Sequence, residues 1–269
     1  MPSTLHLNTT RMLSRIDPNG IGWIVFNQPE RHNALSLDMW QGLADILAHY
    51  AENPAVRVAV MRGAGGKAFV SGADISEFDS KRANAAQKED YARVAGDANR
   101  WLARFEKPLL ACIEGFCIGG GLATALAADV RFASPDSRFG IPAARLGLGY
   151  EYEGLAKLTR VVGPARARDI MFSARFFEAP EAHAMGLVNF VVPREELEGA
   201  VTDYAERIAR NAPLTVRAAK AAVNAWERGG REDDVRAVRG MVDACFDSAD
   251  YREGRRAFRE KRPPRFEGR

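Results

Sequence analysis

Proton transfer has one prominent candidate in this chain. At Tyr150-Glu151-Tyr152-Glu153 two carboxylates alternate with two phenols, directly after the apolar, glycine-punctuated stretch from Phe139 to Gly149. A carboxylate carried beside apolar side chains is suited to acid/base work, because burial raises its pKa toward neutrality. The same spacing also fits a solvated loop with its charges turned outward. Anion stabilisation has two candidates. Gly119-Gly120-Gly121 stands between the apolar run Leu109 to Ile113 and an Ala/Leu-rich segment of helical spacing, and Ser71-Gly72-Ala73-Asp74 follows a second apolar run. A glycine turn lets backbone approach a ligand with no Cβ in the way, and the first N–H groups of a helix lack internal partners. Such a corner can hold an anion, or an oxygen that becomes anionic during a reaction. A close-packed turn with no ligand fits the same residues. Arg31 and His32, on the loop Asn27 to Ser36, could touch a phosphate or simply be solvated. Gly65-Gly66-Lys67 is not a phosphate loop, because Ala68 stands where Ser or Thr would hold the metal.

These residues need a scaffold, and the pattern of apolar residues supplies one. Thr10 to Ile16 and Ile21 to Phe26 read as a β-hairpin around Asp17-Pro18-Asn19-Gly20. Ser36 is placed to cap a helix in which Leu37, Leu43, Ile46, Leu47 and Tyr50 recur at helical spacing. Val56 to Met61 is a buried strand, residues 76 to 105 read as helical with Trp101, Leu102 and Phe105 toward the core, and Leu109 to Ile113 is a buried strand leading to the triple glycine. Val130 to Ala133 and Val188 to Val192 are further strands. Helices are expected at Leu155 to Val162 and Pro164 to Phe172, and from Glu195 onward almost throughout. The tail from Tyr251 is strongly basic.

Composition narrows the function. With 46% hydrophobic and 27% charged residues over 269 positions, the chain reads as a globular enzyme with a sizeable core. A formal charge of +3 argues against nucleic acid as a partner. No run is long and apolar enough for a membrane span, and no signal-peptide pattern opens the chain. Cys112, Cys117 and Cys245 form no CxxC pair, so they read as small core residues in a reducing cytoplasm, with no metal site.

Taken together, Asn27 to Leu35, Ser71-Gly72-Ala73-Asp74-Ile75, Gly115 to Gly121, Phe139-Gly140-Ile141-Pro142 and Glu253-Gly254 through Lys261-Arg262 resemble the enoyl-CoA hydratase/isomerase (crotonase) superfamily, in order and spacing over nearly the whole chain. The resemblance implies an α/β fold, a crotonase-like spiral of ββα units over residues 1–195. A C-terminal helical region over 196–269 would serve oligomerisation and CoA capping. It implies an acyl-CoA thioester as substrate, no separate cofactor, and a homotrimer or dimer of trimers. It places the N–H groups of Ala73 and Gly120 on the thioester oxygen as an oxyanion hole. Arg31, His32, Ala34, Ala73, Asp74, Ile75, Ser76, Gly119 and Gly120 would line the CoA path, and Phe258 and Lys261 would reach its adenine or phosphate end. The two glutamates of the family's hydratases correspond to Ala123 and Ala143, neither of which can transfer a proton. By resemblance Glu151 takes over as acid/base group, buried beside the acyl chain, with Tyr150 as hydrogen-bonding partner and Glu153 as a weaker candidate. Decarboxylation of a malonyl-type thioester is the alternative chemistry, and a non-catalytic acyl-CoA-binding paralogue the alternative of another class.

Overall fold

The computed structural model describes residues 5–74 and 85–269. It opens with the expected hairpin: β1 (Met12–Ile16) and β2 (Ile21–Phe26) pair antiparallel, Met12 opposite Phe26 and Ile16 opposite Gly22. Helix α1 (Leu37–Glu52) docks on them through Met39, Leu43, Ile46, Leu47 and Tyr50. The Tyr50 ring occupies the space that Gly22 leaves, where a Cβ would lie 2.6 Å from it. Its hydroxyl donates to Trp23 O at 2.8 Å, and burial pushes the phenol up to about 12.

Three units of one plan follow. β3 (Val58–Gly63) and β4 (Ala68–Val70) precede α2 (Ala85–Arg104). β5 (Leu109–Ile113) and β6 (Phe116–Ile118) precede α3 (Gly120–Ala125). β7 (Val130–Ala133) and β8 (Arg138–Gly140) precede a 3-10 turn (Pro142–Leu146) and α4 (Tyr152–Ser173). Beyond α4 come β9 (Phe177–Glu178), α5 (Ala179–Ala184) and β10 (Phe190–Val191). The first strand of each unit joins a six-stranded sheet ordered β1-β2-β3-β5-β7-β10, and the second joins a four-stranded sheet ordered β4-β6-β8-β9. Within each sheet the unit strands run parallel. The fold is therefore the expected α/β spiral of ββα units.

Two strand expectations change. The Leu109 strand does not run into the triple glycine. Gly115, at φ 64°, turns the chain where a Cβ would meet Lys67 O at 2.0 Å, and the separate strand β6 carries it to the corner. The strand expected over Val188 to Val192 is confined to Phe190–Val191. Trp101 is half-buried, whereas Leu102 and Phe105 are buried as expected. In α4 the chain breaks helical geometry at Gly163 (φ 78°, ψ 162°), just before Pro164.

Successive residues of the large sheet face opposite cores. Ile24, Phe26, Ala59, Met61, Ala111 and Ile113 enter the main core beneath α1 and α2. Ile21, Trp23, Val58, Val60, Leu110, Cys112 and Phe132 face outward and are covered by Leu197, Val201 and Ala205 of α6 (Arg194–Ala209). Burial pushes the Cys112 thiol up to about 12 and raises that of Cys117, so both are inert core residues. Helices α7 (Pro213–Glu227), α8 (Glu232–Asp247) and α9 (Ala249–Glu260) complete the chain. Among the described residues no helix is long and apolar enough to cross a membrane.

The tail folds back on α9. Glu253 accepts from Arg262 (2.6 Å), from Arg256 (2.6 Å) and from the Arg265 N–H (3.0 Å). Asp250, nearly buried, accepts from the N–H groups of Glu267 (2.7 Å) and Gly268 (2.9 Å). The hydrogen bonds from Arg262 and Arg256 hold the Glu253 carboxyl well below the usual carboxylate range. A depressed carboxyl stabilises the fold above its unfolded pKa, about 4.3, and that stabilisation is lost only as pH falls toward the folded value. Trypsin should therefore cut after Arg265 faster in Glu253→Gln than in wild type at pH 7. Wild type held at pH 4.5 with an acid-active protease should keep its tail protected. Equal nicking of the two proteins at pH 7 would show that Glu253 does not tie the tail down.

Candidate active site

Three parallel strands of the small sheet, β4, β6 and β8, end on the same side, and each runs directly into a turn. After β4 comes Ser71-Gly72-Ala73, with Gly72 at φ 120°. After β6 comes Gly119, at φ 54° and ψ −116°, followed by Gly120 as the first residue of α3. After β8 comes the 3-10 turn that contains Ala143. Residues at the carboxyl ends of parallel strands are where such sheets commonly place ligands.

The first two corners face one another. A Cβ built on Gly120 would stand 3.9 Å from Ala73 N, and one on Gly119 would stand 4.0 Å from Gly72 Cα. Both corners have their neighbouring hydrogen bonds occupied. Leu35 forms an isolated parallel bridge with Ala73, its N–H donating to Gly72 O (2.8 Å) and its carbonyl accepting from Asp74 N (2.9 Å). In that register Ala73's own N–H points away from Leu35. Gly119 N–H donates to Gly140 O at 2.8 Å, tying the second corner to β8. Gly120 N–H, at the first helical position, has no partner within α3. Among the described residues neither the Ala73 nor the Gly120 N–H donates a hydrogen bond. Two backbone donors this close together, on half-exposed residues, can stabilise a carbonyl oxygen that gains negative charge.

Around this pair the other expected residues are placed unevenly. Asp74 is 7% exposed, and Arg31 Nη1 lies 3.2 and 3.1 Å from its two carboxylate oxygens. Ala34 is half-buried between Arg31 and Leu35. His32 is exposed, in left-handed conformation (φ 52°), its ring edge-on to Phe116 at 5.9 Å. Ile75 and Ser76 lie outside the described residues. Ala123 is half-buried on α3, and Ala143 is 5% exposed. Tyr150 is half-buried against the main core, where burial raises its phenol. Glu151 is exposed at the N-cap of α4, its carboxylate accepting no capping hydrogen bond from the helix, and Glu153 is exposed in the first turn. The expectation of a Glu151 buried beside an acyl chain is therefore corrected for the single chain. Leu146 and Leu148 beside it are 57% and 50% exposed, so among the described residues this stretch is left largely uncovered.

Phe258 and Lys261 stand apart from the corners. Phe258 is 86% exposed and lines an apolar groove of about 730 Å³ with Leu214, Val242, Phe246 and Tyr251. Lys261 is the left-handed C-cap of α9. Two positioning groups carry no signal in the sequence. The Leu35 bridge and the Gly140 carbonyl act through backbone atoms, which no side-chain pattern marks.

A family model described as enoyl-CoA hydratase/isomerase matches residues 17–269. The chain belongs to the enoyl-CoA hydratase/isomerase family. A crotonyl-CoA hydratase of Syntrophomonas wolfei is 35% identical over 246 residues, covering 90% of this chain and 93% of that protein. A methylmalonyl-CoA decarboxylase of Escherichia coli is 32% identical, covering 93% of this chain and 95% of its own length. Among solved structures, an enoyl-CoA hydratase/carnithine racemase from Magnetospirillum magneticum superposes with a TM-score of 0.90 at 36% identity, covering 97% of each chain. As a member of this family the protein is an enzyme.

The glycines of the α3 corner differ in what they must accommodate. A Cβ at Gly121 would lie 2.1 Å from Val70 O, whereas at Gly120 the nearest atoms are at ordinary contact distance, 3.9 Å. Gly121→Ala should lose about 1–3 kcal/mol of stability to overpacking. Gly120→Ala, at a helical position, should stay within about 1 kcal/mol of wild type. Urea denaturation of the two variants checks this. Equal losses would mean that the close approach of α3 to β4 is not what fixes the corner.

Proposed function

We propose that this enzyme acts on an acyl-CoA thioester through an enolate, with the thioester oxygen held by the N–H groups of Ala73 and Gly120. The observation that carries this reading is the pair of facing corners whose two N–H groups have no partner among the described residues. Proton removal from the α-carbon leaves its electron pair in the enolate, and the charge collects on the oxygen. Two preorganised donors stabilise that charge more than they stabilise the neutral carbonyl, which lowers the barrier.

Glu151 is the group proposed to take and return the proton, with Tyr150 as its hydrogen-bonding partner. Ala123 and Ala143 have no proton to give, so the two-glutamate addition of water across a double bond is not the reaction proposed. The CoA moiety runs past Arg31, His32, Ala34, Asp74, Ile75, Ser76 and Gly119, and enters as part of the substrate with no further cofactor. Phe258 and Lys261 serve its adenine or phosphate end from a neighbouring copy, in a homotrimer or a dimer of trimers. The exposed apolar side chains of α7 to α9 support this assembly: Trp226 is 80%, Phe246 58% and Phe258 86% exposed, more apolar surface than a solitary chain usually shows. A neighbour seated there would also help to cover the Glu151 stretch. The free cysteines suit a cytoplasmic setting.

Similarity to a methylmalonyl-CoA decarboxylase supports a second reading. Loss of carbon dioxide from a malonyl-type thioester leads to the same enolate and needs no base. Unless protonated or turned away, Glu151 and Glu153 would repel the substrate carboxylate, which favours proton transfer as the first reading.

Incubation with butyryl-CoA in heavy water separates the two. Wild type should incorporate deuterium at the α-carbon, and Glu151→Gln should be slower by about 10²-fold or more with butyryl-CoA binding retained. Undiminished exchange in the variant would remove Glu151 from the mechanism. Absence of exchange in a wild type that binds butyryl-CoA and releases carbon dioxide from malonyl-CoA would replace the first reading with the second.

A further inference from the structure

The loop that bridges to Ala73 is itself held by one buried side chain. His32 and Asn33 are consecutive residues in left-handed conformation, φ 52° and 55°. Asparagine tolerates that region better than most side chains. Asn33 is completely buried, and its amide uses its bonding capacity in three directions. Oδ1 accepts from Gln28 N–H at 2.8 Å, and Nδ2 donates to Ala64 O at 3.0 Å and Ala68 O at 2.8 Å. The amide's orientation follows from its partners, one donor and two carbonyls. There is no slack around it, because a Cβ at Gly63 would lie 2.8 Å from Nδ2.

These bonds join two parts of the chain that must keep register. Ala64 and Ala68 flank the turn between β3 and β4, and Ala68 is the first residue of β4. Two residues after Asn33, Leu35 makes the bridge that flanks Ala73 on both sides, and His32 O accepts from Ser71 N–H at 3.1 Å. The segment 32–35 thus lies alongside β4 and its following corner. It is tied at the start of the strand by the Asn33 amide and beyond its end by the Leu35 backbone. The direction of the Ala73 N–H depends on the Leu35 register, and the Leu35 register depends on where Asn33 sits.

We infer that Asn33 is a positioning residue for oxyanion stabilisation, setting the aim of the Ala73 N–H through the Leu35 bridge. This inference rests on the oxyanion-hole reading above and touches no substrate atom itself. Its loss should therefore affect carbonyl polarisation and rate much more than ground-state binding.

The test is the carbonyl 13C resonance of [1-13C]butyryl-CoA bound to the protein, because donors aimed at the oxygen polarise the carbonyl and move its resonance from the free position. Asn33→Gly removes the amide while keeping the left-handed conformation accessible. Asn33→Asp keeps the size and the acceptor for Gln28 but faces Ala64 and Ala68 carbonyls without donors. Only bound ligand reports the displacement, so partial unfolding of a variant lowers the signal without altering its position. Wild type should show a displaced resonance. Both variants should show a smaller displacement, α-proton exchange slower by about 10²–10³-fold, as on loss of one oxyanion donor, and a butyryl-CoA Kd within about threefold of wild type, since the thioester oxygen is a small part of the ligand. Full displacement in both variants, with wild type displaced, would overturn the role of Asn33 and leave the oxyanion hole standing. An undisplaced resonance in wild type would overturn the oxyanion reading itself, and the inference with it.

Discussion

The parallel pairing of β4 with β6 is the constraint on which the site depends. It places two short strands side by side, Ala68 opposite Phe116 and Val70 opposite Cys117, and brings their following turns together at one edge. The turns approach as closely as they do because Gly121 lacks a Cβ where Val70 O lies. Other contacts then consume the hydrogen-bonding groups on either side: Leu35 takes Gly72 and Asp74, and Gly140 takes Gly119. Ala73 and Gly120 are left close together, with no hydrogen bond from either N–H among the described residues. Unpaired backbone donors are costly once water is excluded, so a site built from them is stabilised by an oxygen that fills it.

The two-sheet arrangement explains how so small a feature is made rigid. Each ββα unit contributes its longer strand to the large sheet, anchored between the main core and the α6 layer, and its shorter strand to the small sheet. The inner strands β2, β3 and β5 of the large sheet are buried on both faces, which suits the near-continuous apolar runs of β3 and β5. The small sheet leads into the corners proposed to hold the thioester oxygen. Gly115 and the Gly63 turn mark the passage from one sheet to the other, and both sit against backbone oxygen with no room for a side chain.

Much of this was legible in the residues. The hairpin announced itself at Asp17 to Gly20, the break in α4 at Gly163-Pro164, and the two corners at their glycines, because each needs a backbone conformation that few residues adopt. What escaped reading has physical reasons. Strand β6 is three residues long, too short for alternation to show, and it adjoins the longer apolar run of β5. Asn33 resembles any loop asparagine until the carbonyls of Ala64 and Ala68, more than thirty positions away, are brought to it. Glu151 illustrates another limit: the helical pattern was expected only from Leu155, whereas α4 begins at Tyr152 and takes Glu151 as its N-cap, and the burial of Glu151 depends on whatever covers Leu146 to Leu148, which stay exposed among the described residues.

Alanine at positions 123 and 143, where the resemblance implies glutamates, narrows the proposed chemistry without touching the corner proposed to stabilise an oxyanion, which is made of backbone. The central claim is that this corner binds a thioester oxygen, and the most direct measurement is a crystal structure of the protein with butyryl-CoA. The account predicts the thioester oxygen about 2.7–3.1 Å from both Ala73 N and Gly120 N. A fully occupied butyryl-CoA whose thioester oxygen lies away from both nitrogens would contradict it.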